Sequence, residues 1–161
     1  MAKRIDGKQI AGEIRGELTK KVAAFRAANG FAPGLAVIIV GENPASKVYV
    51  RNKQRACEEI GIASTVIELP EDTKEEELLS VVAELNADTS VHGILVQLPL
   101  PRHLDAEKVL LSIDPRKDVD AFHPYNVGRI MIGDYDFLPC TPAGVMELLK
   151  RSDISPDGKE C

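Results

Sequence analysis

Apolar positions along this chain follow two different periods. Residues 35–40, LAVIIV, form an unbroken apolar run with no polar alternation. A run this short and β-branched predicts a strand buried on both faces, as in a parallel sheet. Residues 64–69 and 91–97 predict two more strands, the first ended by Pro70 and the second running into the sequence LPLP. Between and around them the period changes to that of a helix. Ile10, Ile14, Leu18, Val22 and Phe25 recur at helical spacing after Asp6 and Gln9, a capping-box pair, and Asn29-Gly30 marks the end. Asn43 followed by Pro44 predicts an N-cap and a first-turn proline for a helix reaching Ile60, closed by Gly61. Thr73 and Glu76 predict a capping box ahead of Leu78, Leu79, Val82 and Leu85. Asp105 caps a short helix through Leu111, residues 114–136 read as irregular, and Thr141-Pro142 opens a last helix carrying Val145, Leu148 and Leu149. Residues 152–161 read as a loose polar tail. The order is helix, then βαβαβ. It predicts an α/β fold: a three-layer α/β/α domain with a mainly parallel sheet and right-handed crossovers, preceded by an N-terminal helix whose stripe packs on the sheet.

Composition narrows the functions rather than the fold. The 161 residues suit one domain, 44% apolar and 28% charged, with a net charge of −5. No Lys/Arg cluster stands out, which argues against a nucleic-acid partner. The longest apolar runs fall well short of the ~18 residues of a membrane span. The start, MAKRIDGKQ, has no signal-peptide core, and Cys57, Cys140 and Cys161 suggest no disulfide framework, so the expected location is the cytoplasm. With His92, His103 and His123 equally scattered, no metal site is expected.

Candidate chemistry gathers where the strands end. Tyr49 and Lys53 lie four apart, on one face of the helix after Pro44, near the end of the sheet where open α/β folds bind ligands. The plainer alternative is a packed ring and one more solvated charge. Gln97 is an amide ending an apolar strand; it either caps that strand or faces a ligand at the edge shared with Gly41. Leu98-Pro99 then leaves the sheet stiffly, and a cis bond is conceivable there. Asp118 and Asp120 fall on a loop, where carboxylates cap turns, bind hard cations or grip a ligand's amino-heterocycle. Thr141-Pro142 caps a helix whose N-terminus can also meet an anion. No G-x-G-x-x-G, Walker lysine or G-x-S-x-G is present.

Taken together, Tyr49-x-x-x-Lys53 within NPASKVYVRNK, GILVQLPLP from Gly93 to Pro101, KDVD from Lys117 to Asp120, FHPYNVGR from Phe122 to Arg129 and PCTPAG from Pro139 to Gly144 occur in order. The series resembles the bifunctional methylenetetrahydrofolate dehydrogenase/methenyltetrahydrofolate cyclohydrolase family of one-carbon metabolism. It covers the chain from about Arg4 to Lys150. The resemblance implies a tetrahydrofolate-binding catalytic domain over residues 1–150. It further implies that residues 151–161 are a polar tail where an NADP-binding domain begins in the family. Lys53 would be the catalytic lysine, with Gln97 holding and tuning it. Tyr49 would stack along the folate and Asp120 would grip the pterin, beside Leu98 and Pro99. Thr141 would lie toward the cofactor. The implied chemistry is oxidation of the methylene form with NADP and hydrolysis of the methenyl form, supplying formyl groups for purine biosynthesis. The complete enzyme would be a homodimer and this chain a monomer.

Two departures stand out. Ala121 occupies the place after KDVD where the family usually has glycine, and the chain stops at Cys161, so it supplies one wall of a two-domain cleft. Two rivals stay open: a non-catalytic folate-binding module, and the substrate domain of another two-domain dehydrogenase.

Overall fold

A computed structural model describes residues 4–160; Cys161 lies outside the described residues. In chain order the elements are α1 (Gly7–Asn29), β1 (Gly34–Val40), α2 (Pro44–Ile60), β2 (Ala63–Leu69), α3 (Glu75–Ala87) and β3 (Gly93–Val96), followed by α4 (Ala106–Leu111), α5 (Pro124–Met131) and α6 (Cys140–Arg151).

The three strands form one parallel sheet in the order β2-β1-β3, with Val37 opposite both Val66 and Leu95. The most apolar run of the sequence is therefore the central strand. Alternate residues of β1 serve opposite faces. Ile38 and Val40 join Leu78, Val82, Ile94, Val96 and Val109 beneath α3 and α4. Val37 and Ile39 join Leu95 and Val50 beneath α2. Helix layers on both faces make this the expected three-layer α/β/α arrangement.

One packing expectation fails. α1 rests mainly on α2 rather than on the sheet, because α2 already covers that face. Its 23 residues span ~35 Å, far beyond what a three-stranded sheet can cover. Only Ile10 and Val22 of its stripe are buried, and Leu18 and Phe25 stay exposed. Arg15 pairs with Glu59 on α2 and Arg151 with Glu17, tying α1 to α2 and α6.

Helix ends follow the sequence in some places and depart from it in others. Asp6 Oδ1 accepts from the N–H groups of Lys8 and Gln9, but the Gln9 side chain donates to Glu13 instead of turning back to complete a box. Asn43 Oδ1 accepts from Ser46 N, with Pro44 in the first turn, and Asp105 Oδ1 accepts from Lys108 N. Thr73 does not cap α3. It belongs to the preceding turn, its N–H bonded to Pro70 O, so Lys74 stands at the cap without a side-chain bond. The Thr73 hydroxyl is buried without a partner. Likewise Thr141 lies inside the first turn of α6, which begins one residue earlier behind Pro139.

β3 is shorter than expected, Gly93–Val96, although Gln97 N still donates to Ile38 O. Residues 114–136 are not wholly irregular, since α5 forms within them behind Pro124, with the His123 ring accepting from Tyr125 N. The tail is held at its start: Ser152 is buried, and Ile154 N donates to Leu149 O.

Candidate active site at the carboxyl ends of the strands

β1 ends at Gly41, whose positive φ of 81° turns the chain into α2. A side chain there would be strained, and its Cβ would lie 3.4 Å from Glu71. The turn sets α2 so that Tyr49 and Lys53 lie on successive turns. Tyr49 is 65% exposed and Lys53 is half-buried. The Lys53 charge reaches two thiols, Cys57 one turn along α2 and Cys140 at the start of α6, and draws both downward. Burial outweighs it at each, so both thiols lie above the ordinary cysteine value.

Gln97 follows β3 directly and is half-buried; its Nε2 donates to Leu98 O at 2.8 Å. No hydrogen bond joins it to Lys53 among the described residues. The Leu98-Pro99 peptide is cis.

Asp120 sits in a loop built against the outer edge of β3. Ile94 N donates to Lys117 O at 2.7 Å, and Asp118 makes an isolated parallel bridge to Ile94. Val119 turns toward the α2 side and packs with Leu95 and Val50. Gly93 makes room for it, because a Cβ there would stand 2.5 Å from Val119 Cγ1. Asp120, next along, reaches Cys140, and its carboxylate adds to the burial that pushes that thiol up. Cys140 therefore marks the place where α2, the 118–123 loop and α6 converge, with Lys53 and Asp120 both acting on it. Thr141 is exposed beside it, at a helix end with no side-chain cap.

The predicted residues thus share one end of the sheet: Tyr49 and Lys53 from α2, Gln97, Leu98 and Pro99 after β3, and Asp120 from the loop. An amine and a carboxylate on neighbouring elements beside an exposed phenol can move a proton and hold a flat, amino-bearing ring. This face is open. A concavity of about 690 Å³ lies alongside it between Gly41, Glu42, Glu71 and His103, and of the predicted residues it includes only Pro99. The turn after β1 does not form a dinucleotide cradle. The one glycine turn after β1 is packed against Glu71, whose carboxylate repels phosphate, and the turn lacks the backbone cradle a pyrophosphate needs. Among the described residues no cluster could hold a metal, and no helix is long and apolar enough to cross a membrane.

Sequence reasoning missed Cys140, Asn126 and the work of Lys117. Cys140 is 87 positions from Lys53, and only the tertiary fold brings them together. Lys117 could have been suspected from its motif, but its targets are backbone carbonyls that no sequence pattern displays.

Comparison with known proteins supplies the context for this geometry. Residues 5–120 match the family described as tetrahydrofolate dehydrogenase/cyclohydrolase, catalytic domain. The bifunctional protein FolD of Geotalea daltonii is 58% identical over 160 residues, covering 99% of this chain and 57% of that protein. That of Acetivibrio thermocellus is also 58% identical, with 56% of its length covered. Among solved structures, the FolD enzyme of Campylobacter jejuni superposes with a TM-score of 0.90 at 51% identity, covering 96% of this chain and 55% of that one. The Trypanosoma brucei enzyme, complexed with NADP and an inhibitor, gives 0.93 at 40% identity over 98% of this chain and 54% of its own. The chain spans about half the length of the curated relatives it matches.

Proposed function

The chain belongs to the tetrahydrofolate dehydrogenase/cyclohydrolase family, and from that premise we propose that residues 1–150 are its folate-binding catalytic domain. The complete enzyme oxidises 5,10-methylenetetrahydrofolate with NADP, then hydrolyses 5,10-methenyltetrahydrofolate to 10-formyltetrahydrofolate. It does so in the cytoplasm, as a homodimer, in support of purine biosynthesis. Residues 151–161 lead toward the NADP-binding domain, and this chain alone is a monomer. The observation that carries the reading is the convergence of Lys53 and Asp120 on Cys140, at the ligand-binding end of a parallel sheet and on the helix that displays Tyr49.

In this reading Asp120 accepts hydrogen bonds from the pterin, Tyr49 stacks along the ring system, and Leu98 and Pro99 form the floor. Thr141 faces the cofactor side. Lys53 moves the proton as water adds to the methenyl carbon and the bridge opens. Lys53 acts in the substrate complex, where bound folate shields its half-buried amine from water. Gln97 orients its nitrogen once ligand is bound. NADP, the hydride acceptor, is held by the other part of the complete enzyme.

The test is the decay of methenyltetrahydrofolate absorbance. With residues 1–161 joined to the remaining part of a relative, Lys53→Met should abolish the catalysed decay while leaving the fold intact, and Gln97→Ala should slow it. Unchanged rates in Lys53→Met would sink the assignment. The isolated chain should bind reduced folate only at micromolar affinity or weaker, about −8 kcal/mol at best, because half of the cleft is solvent.

A further inference from the structure

The loop that carries Asp120 is fastened by buried polar groups that make no approach to the open face themselves. Asp118 is 3% exposed, and its Oδ2 accepts from His123 N at 2.8 Å and from Asn126 Nδ2 at 3.0 Å. The first bond closes residues 118–123 into a loop on a single carboxylate. The second ties that loop to α5, where Asn126 is 7% exposed and also donates to Pro115 O at 2.8 Å. Ala121 N donates to Asp118 O within the same loop, and Ala121 is wholly buried with φ at +55°. A buried carboxylate with two donors in place specifies one geometry, because any other arrangement leaves it unpaired. Asp120 stands at the apex of what that geometry fixes.

We propose that Asp118 and Asn126 are positioning residues for Asp120: Asp118 closes the 118–123 loop, Asn126 locks it to α5, and together they aim the Asp120 carboxylate toward Cys140 and the substrate face. The functional part rests on the reading of Asp120 as the folate-gripping group. The geometric part does not. Asp118→Ala removes the one oxygen that accepts from both His123 N and Asn126 Nδ2 and leaves these donors without their partner. The loop must then shift and carry Asp120 away from Cys140.

Two readouts separate the parts, both on the 161-residue chain. The first needs no ligand. Peptide-resolved alkylation of Cys140 by iodoacetamide, followed against pH, reports the neighbouring carboxylate through the thiolate fraction. Asp120→Ala sets the limit of acceleration, and Asp118→Ala should approach it, at ~3- to 10-fold faster alkylation near neutral pH. The second is the Kd for 5-formyltetrahydrofolate. Asp118→Ala should weaken it about tenfold in the wild-type background and not at all in Asp120→Ala, the signature of an effect routed through Asp120. A role confined to stability would lower Tm and move neither readout below the transition, which would overturn the proposal. If Asp118→Ala does not fold, Asn126→Ala is read in the same way. A shifted Cys140 profile with no saturable folate binding in the wild type would uphold the positioning of Asp120 and overturn the folate reading instead.

Discussion

The two ends of this chain are held together by different physics. From β1 to β3 the molecule is a buried sheet: Ile38 is inaccessible, and residues 36–40 are all at most 3% exposed. From residue 114 onward there is little apolar burial. α6 has no buried residue, and Met131 and Ile132 at the end of α5 are 82% and 77% exposed. That second region is fixed by directed polar bonds instead. Arg116 pairs with Asp114, Lys117 with the end of α3, Asp118 with Asn126, and Arg129 with Asp134 and Asp136. Non-directional burial makes a platform, whereas directed bonds aim individual side chains. The candidate site takes Lys53 and Gln97 from the platform and Asp120 from the aimed part.

Truncating the platform should cost most. Ile38→Ala removes a fully buried side chain from the centre of the larger core, at about 3–4 kcal/mol in denaturant unfolding. A loss below about 1 kcal/mol would mean that the sheet is less decisive than its burial suggests. Lys117→Met comes next. The Lys117 ammonium donates to the carbonyls of Leu85, Asn86 and Asp88 at 2.7–2.9 Å, satisfying the end of α3 and complementing its dipole. Losing it should cost about 2 kcal/mol. It should also raise hydrogen exchange in the last turn of α3 and in residues 117–120 together, because one amine joins them.

Much of the platform was legible in the sequence, and less of the aimed part. Continuous runs such as residues 35–40 have one good explanation, and Asn43-Pro44 and Gly61 bracket α2 as their chemistry demands. Ile10 to Phe25 had the right period but hid its partner, since periodicity says that a face is buried and not against what. Residues 114–136 concealed α5 because it is only eight residues long, and its short stripe of Val127, Ile130 and Met131 sits among glycines and aspartates that read as loop. Among site residues, the i, i+4 spacing of Tyr49 and Lys53 was local and readable. The Asp120–Cys140 contact is tertiary and was not. Ala121 is an instructive middle case: resemblance marked it as standing where glycine is usual, and its positive φ shows why glycine suits that position.

Acid should distinguish the regions more gently. The Arg116 guanidinium, with its own backbone N–H, holds the Asp114 carboxyl down to about 2, below its ordinary value near 3.8. A depressed folded-state pKa contributes stability above the unfolded value, and that contribution disappears as pH falls from about 4 through about 2. Arg116 is 86% exposed on its side chain, so salt should screen the effect. Fluorescence- or NMR-detected unfolding of Asp114→Asn should show a flatter stability profile between pH 4 and 2 than wild type. Identical slopes would remove Asp114 from the account.

The smallest effect should come from the most conspicuous apolar residues. Met131 and Ile132 are large, yet at 82% and 77% exposure they have little further surface to expose to water on unfolding. If residues 114–160 are held by directed bonds, Met131→Ser with Ile132→Ser removes no contact on which that region depends. The remaining cost is the lower helix propensity of serine at Met131, the last residue of α5, a few tenths of a kcal/mol. The double variant should therefore unfold within about 0.5 kcal/mol of wild type, with the Cys140 alkylation profile unchanged. A loss above about 1.5 kcal/mol would show that these side chains pack in solution, and that the region from α5 onward depends on apolar burial after all.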